Sequence, residues 1–133
     1  MNFRHFNFKL ILDVVFISSF MSIHAQSSQS KSISYIEMTS TWIHVYDERG
    51  KKIYTDARSR FGDVVGYSSS FFIVKRGSFY VLYDANCKRL NTLTVENTGE
   101  VLSVTGKTFV ARKGSFVSTY DQTGKRLNAR AVR

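Results

Sequence analysis

From Ile33 onward the chain alternates short runs of β-branched and aromatic residues with polar turn residues, and no stretch there holds a helical period. In the middle of the chain four strands are predicted: Val64 to Tyr67, Phe71 to Lys75, Phe79 to Tyr83 and Arg89 to Val95. The short gaps between them favour tight hairpins, so neighbours should pair antiparallel as a meander. A sheet with one wet face would alternate apolar and polar positions. Here Trp42 and Tyr46 fall on one face of a strand while Ile43 and Val45 fall on the other, and Phe79, Val81 and Tyr83 likewise oppose Tyr80 and Leu82. Both faces therefore need cover, which predicts sheets stacked face to face or a closed barrel.

The pattern repeats. Tyr46-Asp47, Tyr83-Asp84 and Tyr120-Asp121 are 37 residues apart, and the same offset relates Trp42, Phe79 and Phe116, then Lys51, Lys88 and Lys125, then Ile53, Leu90 and Leu127. Gly62 matches Gly99, Phe72 matches Phe109, and Gly77-Ser78 matches Gly114-Ser115. The fold class is thus all-β, an antiparallel meander of about three units over residues 33–133. In the last unit the strand Phe116-Val117-Ser118-Thr119-Tyr120 is more polar than its counterparts, as an end repeat should be.

The hairpin after each Tyr-Asp is the most specific local feature. In Asp47-Glu48-Arg49-Gly50-Lys51 and Asp121-Gln122-Thr123-Gly124-Lys125 the carboxylate is placed to accept turn amides, and the glycine suits a left-handed backbone. Asp84-Ala85-Asn86-Cys87-Lys88 puts cysteine at the glycine position. A shared turn would hold Cys87 at positive φ with its thiol exposed, and Cys87→Gly should leave stability unchanged or raise it.

The stretch from Gly106-Lys107-Thr108-Phe109-Val110-Ala111 through Tyr120-Asp121-Gln122-Thr123-Gly124-Lys125-Arg126-Leu127 resembles a blade of the β-propeller repeats, especially the quinoprotein-like kind. The resemblance extends over about Ile33 to Arg133. It implies four-stranded blades, which in that family close a ring around a channel, and the family's cofactor site maps onto no residue of this chain. Three four-stranded units is also the count of a β-trefoil. An unclosed array leaves sheet edges that invite pairing with another chain, and a monomeric curled sheet or barrel, needing no partner for its edges, is slightly favoured.

The N-terminus changes the picture of where the protein acts. Arg4 and Lys9 precede a mostly apolar run from Leu10 to Ile23, and Ser22-Ile23-His24-Ala25 ends on a small residue, so 1–25 reads as a signal peptide cut after Ala25. The run is short for a membrane span and contains Asp13, and no cysteine stands near the cut for lipid attachment. A secreted or periplasmic protein with no membrane span in its mature chain is expected. Residues 26–32, Gln-Ser-Ser-Gln-Ser-Lys-Ser, read as a polar tether. The single cysteine excludes an intramolecular disulfide, so the apolar core must supply the stability.

The formal net charge of +9 persists almost unchanged after removal of 1–25, which takes Arg4, Lys9 and Asp13 with it. A field of this sign attracts anionic partners, and it also keeps a small protein soluble. Basic pairs recur at Lys51-Lys52, Lys75-Arg76, Lys88-Arg89, Arg112-Lys113 and Lys125-Arg126. On a strand the two members of a pair point to opposite faces, which splits the charge. Lys75, Arg76, Arg112 and Lys113, with the aromatic side chains of Trp42 and Tyr80, are the binding residues expected, and an anionic glycan or a protein is the expected partner ahead of nucleic acid.

Residues for catalysis are few. His44 is the one histidine outside 1–25, and no ligand spacing supports a zinc site around it. Asp47, Asp84 and Asp121 are explained as hairpin closers rather than as a cation site. No nucleophile motif accompanies the serines. No cofactor and no enzyme activity are expected. The sequence points to an exported, non-catalytic binding or interaction module, with a structural subunit assembling through strand edges as the alternative.

Overall fold

A computed structural model describes residues 31–132; the signal peptide expected at 1–25 and most of the tether expected at 26–32 lie outside the described residues. Eleven strands form three separate antiparallel sheets among them. The first holds β1 (Ile33–Met38), β2 (Trp42–Asp47) and β3 (Lys52–Ala57). The second holds β4 (Asp63–Tyr67), β5 (Phe71–Arg76), β6 (Phe79–Asp84) and β7 (Arg89–Thr94). The third holds β8 (Glu100–Thr105), β9 (Thr108–Lys113), β10 (Phe116–Asp121) and β11 (Arg126–Ala131). Strands pair in sequence order within each sheet, as hairpin connections require.

The expected period reappears in the backbone bonds. Arg58 N donates to Thr41 O, Val95 N to Ser78 O and Val132 N to Ser115 O, each bond 37 residues from the next. Asp47, Asp84 and Asp121 donate their backbone N–H to the carbonyls of Lys51, Lys88 and Lys125. Tyr46, Tyr83 and Tyr120 each follow a one-residue register shift and pair with Lys52, Arg89 and Arg126. The three tyrosines thus share one backbone setting, and the equivalent strands are β2, β6 and β10.

Two expectations give way here. The sheets are neither a single curled sheet or barrel nor a β-trefoil: each ends on its own edge strands, and the stack resembles propeller blades. Stacking gives the middle strands apolar cover on both faces, and the short linkers through Gly62 and Gly99 start each new sheet rather than continuing the old one. No helix was expected, yet single helical turns, Arg58–Phe61 and Val95–Thr98, link the sheets, so Val95 leaves the predicted strand and starts a turn. Thr94 caps the second turn by accepting the Asn97 N–H. Gly62 and Gly99 end the turns at φ 112 and 86, where a Cβ would collide with the carbonyl oxygens of Lys75 and Arg112.

Each sheet has two faces, set by alternation along the strands. The trailing face of the first sheet, with Ile36, Ile43 and Val45, packs against Phe72 and Val74 on the leading face of the second, with Phe61 between them. The trailing face of the second, with Phe71, Ile73, Tyr80 and Leu82, packs against Phe109 and Ala111 on the leading face of the third. Phe71 to Val74 are consequently all buried, which explains why β5 shows no alternation. Polar bonds also cross the second pair: Ser68 Oγ donates to Gly106 O at 2.6 Å, and Asn91 Nδ2 to Thr123 O at 2.7 Å.

Cys87 adopts φ 63, as the shared turn predicted, but its thiol is not exposed. It is half-buried against the first apolar cluster, and burial pushes it up to about 11.

Candidate functional site

An aromatic pair occurs on the leading face of every sheet, at positions 37 residues apart. Tyr35 and Tyr46 stack with ring centroids 6.1 Å apart, Phe72 and Tyr83 at 5.2 Å, and Phe109 and Tyr120 at 4.9 Å. What covers the pair differs from sheet to sheet. In the second sheet the Phe61 ring lies 4.8 Å from Tyr83 and 6.1 Å from Phe72, and meets Tyr54 at 5.8 Å. Tyr54 in turn donates its hydroxyl to Asp56, which also pairs with Arg60. Burial first, and the bond to Asp56 next, push the Tyr54 hydroxyl up to about 12.

In the third sheet the residue equivalent to Phe61 is Thr98, and a threonine cannot fill the space of a phenyl ring. The result is an open recess of about 600 Å³ beside Tyr120, within the size range of small-ligand sites. Thr98 and Asn97 from the helical turn form one wall, and Phe116, Ser118 and Tyr120 on β10 form the floor. Lys113 of β9 and Arg126 of β11 stand at its two ends. Lys113 pairs in register with Phe116, and Arg126 with Tyr120, four residues further along β10. At about 3.3 Å per residue their backbone positions are roughly 13 Å apart along the strand. Neither is in an ion pair within the described residues, and the lining contains no carboxylate.

Of the residues that the sequence singled out, Lys113 alone lines the recess. Arg76 is its equivalent in the second sheet, exposed and in register with Phe79. There the same arrangement surrounds a filled space: Arg76 and Arg89 both act on Tyr83, offsetting in part the upward pressure of burial on its hydroxyl. Lys75 and Arg112 occupy the opposite faces of their strands, and Arg112 Nε donates to Gly114 O at 3.1 Å. Trp42 is 49% exposed on the leading face of the first sheet, at the position of Phe79 and Phe116. Tyr80 belongs elsewhere: it is 4% exposed, and its hydroxyl donates to Gly99 O at 2.7 Å, so it closes the interface between two sheets and is withdrawn from any surface ligand.

The acidic residues and the histidine are engaged locally. Asp47 Oδ1 accepts the amides of Arg49 and Lys51, Asp84 Oδ1 those of Asn86 and Lys88, and Asp121 Oδ1 those of Thr123 and Lys125. The His44 ring sits 2.8 Å from Thr55 Oγ1. Sequence reasoning missed Thr98, Phe116, Ser118, Tyr120 and Arg126. The signal for them was available in the repeat, because Thr98 is where Phe61 stands one unit earlier.

No protein-family model matches the chain, and comparison with curated proteins found no match. Among solved structures the chain is similar to the crystal structure of Kluyvelomyces marxianus Hsv2, at 11% identity and a TM-score of 0.49. The likeness covers 77% of this chain and 40% of that one, so the chain spans less than half the length of that protein.

Proposed function

We propose that the protein is an exported, non-catalytic binding module, and that the recess on its third sheet holds an anionic polymer such as an acidic glycan. The observation that carries this reading is the pair Lys113 and Arg126, with no ion pair and no lining carboxylate among the described residues, at opposite ends of an aromatic-floored recess. Their separation suits successive charges on a polymer better than one small anion. Phe116 and Tyr120 offer apolar ring surface to the backbone of such a ligand, and Asn97 supplies a neutral hydrogen-bonding group. The lining has no histidine or carboxylate to activate Ser115 or Ser118, which favours binding over turnover. The quinoprotein-like kind of blade rests on the Tyr-Asp hairpin ending in Gly-Lys, and it brings no cofactor site to this chain.

Heparin, as a sulfated glycan, supplies the test. A hydrogen bond to a charged group contributes about 1.5 to 3 kcal/mol, so Lys113→Ser with Arg126→Ser should weaken binding at least tenfold at moderate salt. Lys51→Ser with Lys88→Ser, which changes the net charge equally at the hairpins of the other two sheets, should leave most of the affinity in place. Equal losses in the two double variants, or none in the first, would remove the recess from the proposal.

A further inference from the structure

We infer that the leading face of the first sheet is a docking surface for the trailing face of the third sheet of a second copy of this chain, so that two copies pair head to tail. Within one chain this kind of contact is made twice: the first sheet's trailing face covers the second sheet's leading face, and the second covers the third in the same way. Among the described residues two faces are left over, one of each kind.

The leftover leading face is aromatic. Tyr35 is 51% exposed and stacks on Tyr46, the His44 ring meets Tyr46 edge-on, and Trp42 lies further along the same strand. Glu37 pairs in register with His44 and shares this face. The equivalent rings in the second and third sheets, Phe72 and Phe109, are buried. An exposed aromatic patch of this kind marks an interaction surface.

The leftover trailing face fits it in size and offers cations to its rings. Where the second sheet presents Ile73, Tyr80 and Leu82, the third presents Val110, Val117 and Thr119, which are smaller and leave room for the larger rings of the first sheet. Val117, 8% exposed, is flanked in register by Arg112 on one side and Arg130 on the other, so this face carries two guanidinium groups, with Glu100 in register beside Arg112. Arginines facing Tyr35, Trp42 and Tyr46 favour cation–π contact, while on the aromatic face Glu37 is balanced by Lys52, in register with Tyr46. Two copies joined at both leftover pairs of faces bring six sheets together, within the roughly four to eight blades of closed propeller rings, whereas three copies would bring nine. The contact is heterologous, and closure at two copies keeps it from growing into a filament.

The sole tryptophan, Trp42, reports on the contact. In the protein expressed from the full chain, light scattering over rising concentration should move from the mass of one chain to that of two, with a blue shift of the Trp42 emission over the same range. Trp42→Asp and Arg130→Asp should each yield monomers by themselves. Mixing the two variants restores one sound pair of faces, so a one-to-one complex should form, with the tryptophan of the Arg130→Asp chain shifting to the blue. Circular dichroism of each variant confirms that the sheets persist, and Arg112→Asp repeats the test should Arg130→Asp unfold. A monomer at all concentrations overturns the inference. So does a dimer abolished by Trp42→Asp but untouched by Arg130→Asp and Arg112→Asp, because that pattern belongs to two aromatic faces meeting each other.

Discussion

Phe61 and Thr98 occupy one position of the repeat, and their replacement should have unequal consequences that follow from what each side chain touches. Phe61 is 5% exposed and packed by Tyr54, Phe72 and Tyr83. Phe61→Ala forfeits the transfer energy of a buried ring, about 2 kcal/mol, and leaves a hole of about 100 Å³ that adds roughly 2 kcal/mol at 24 cal/mol per Å³. A total loss of about 4 kcal/mol is a large share of the roughly 5 to 15 kcal/mol by which domains of this size are stable. Thr98 borders the recess but is itself 4% exposed, and with its smaller side chain Thr98→Ala is expected to cost about 1 kcal/mol. Urea unfolding followed by Trp42 fluorescence measures both through the midpoint, provided the slope stays constant. The reciprocal change, Thr98→Phe, should lay a ring over Tyr120 as Phe61 lies over Tyr83, abolish heparin retention by filling the recess, and leave the protein folded. Equal costs for the two alanine variants, or undiminished heparin retention in Thr98→Phe, would refute the reasoning that the recess is an unfilled copy of the Phe61 site.

Gly99→Ala should be strongly destabilising, by more than about 2 kcal/mol, since a methyl group there meets the Arg112 carbonyl and φ is positive; a midpoint near that of the unmodified protein would contradict the geometry. Cys87→Gly should change stability by no more than about 1 kcal/mol, because relief of the left-handed backbone, worth about 1 to 2 kcal/mol, is offset by the lost packing of the half-buried thiol and by the freedom glycine adds to the unfolded chain; a loss above twice that would show the thiol contacts dominate. With its thiol pushed up to about 11 by burial, Cys87 should react with iodoacetamide at pH 8 about a hundredfold more slowly in the folded protein than in urea, and equal rates would contradict its burial. Asp47, Asp56 and Asp121 are held below the usual carboxylate range, chiefly by the Lys51 amide, the Arg60 side chain and the Thr123 hydroxyl respectively. A depressed folded value contributes stability above the unfolded value that is lost as pH falls through the folded one, so the urea midpoint should decline from about pH 5 downward; a midpoint independent of pH over that range would be inconsistent with those bonds.

The repeat, the strand boundaries and the Tyr-Asp hairpins were legible because they depend on local chemistry. Asp47, Asp84 and Asp121 each bind amides two and four residues on, a geometry that spacing alone specifies. Double-sided burial was legible in part: Val81 opposite Tyr80 and Leu82 is buried as that alternation predicts, whereas Trp42 and Phe79, about half exposed, are not covered. The choice between stacked sheets and a barrel was not, because both satisfy the same apolar pattern. What decides it is the behaviour of the linkers, where Gly62 and Gly99 let a single helical turn close tightly on the Lys75 and Arg112 carbonyls and start a new sheet. Tyr80 shows the limit of composition: an aromatic residue near basic ones reads as a binding platform, yet its position on a trailing face commits it to the interior. Arg126 was counted only as half of a basic pair, since nothing local tells which face of β11 turns toward the recess.

The same aromatic pair therefore meets three different environments, and that variation carries more functional meaning than the motif itself. Stability asks every leading face to be covered, and the second sheet meets that demand with Phe61. The third sheet gives up the ring and keeps the surrounding cations, Lys113 and Arg126 in place of Arg76 and Arg89. A change made for packing would have altered both the ring and the charges, or replaced the ring by another apolar side chain. Loss of the filler with retention of the charge fits the proposed ligand site, where the energy withheld from folding would be available to a guest. On the first sheet the pair is left open beside Trp42, where a guest must be large and flat to cover it, and a sheet face of the same chain has that shape.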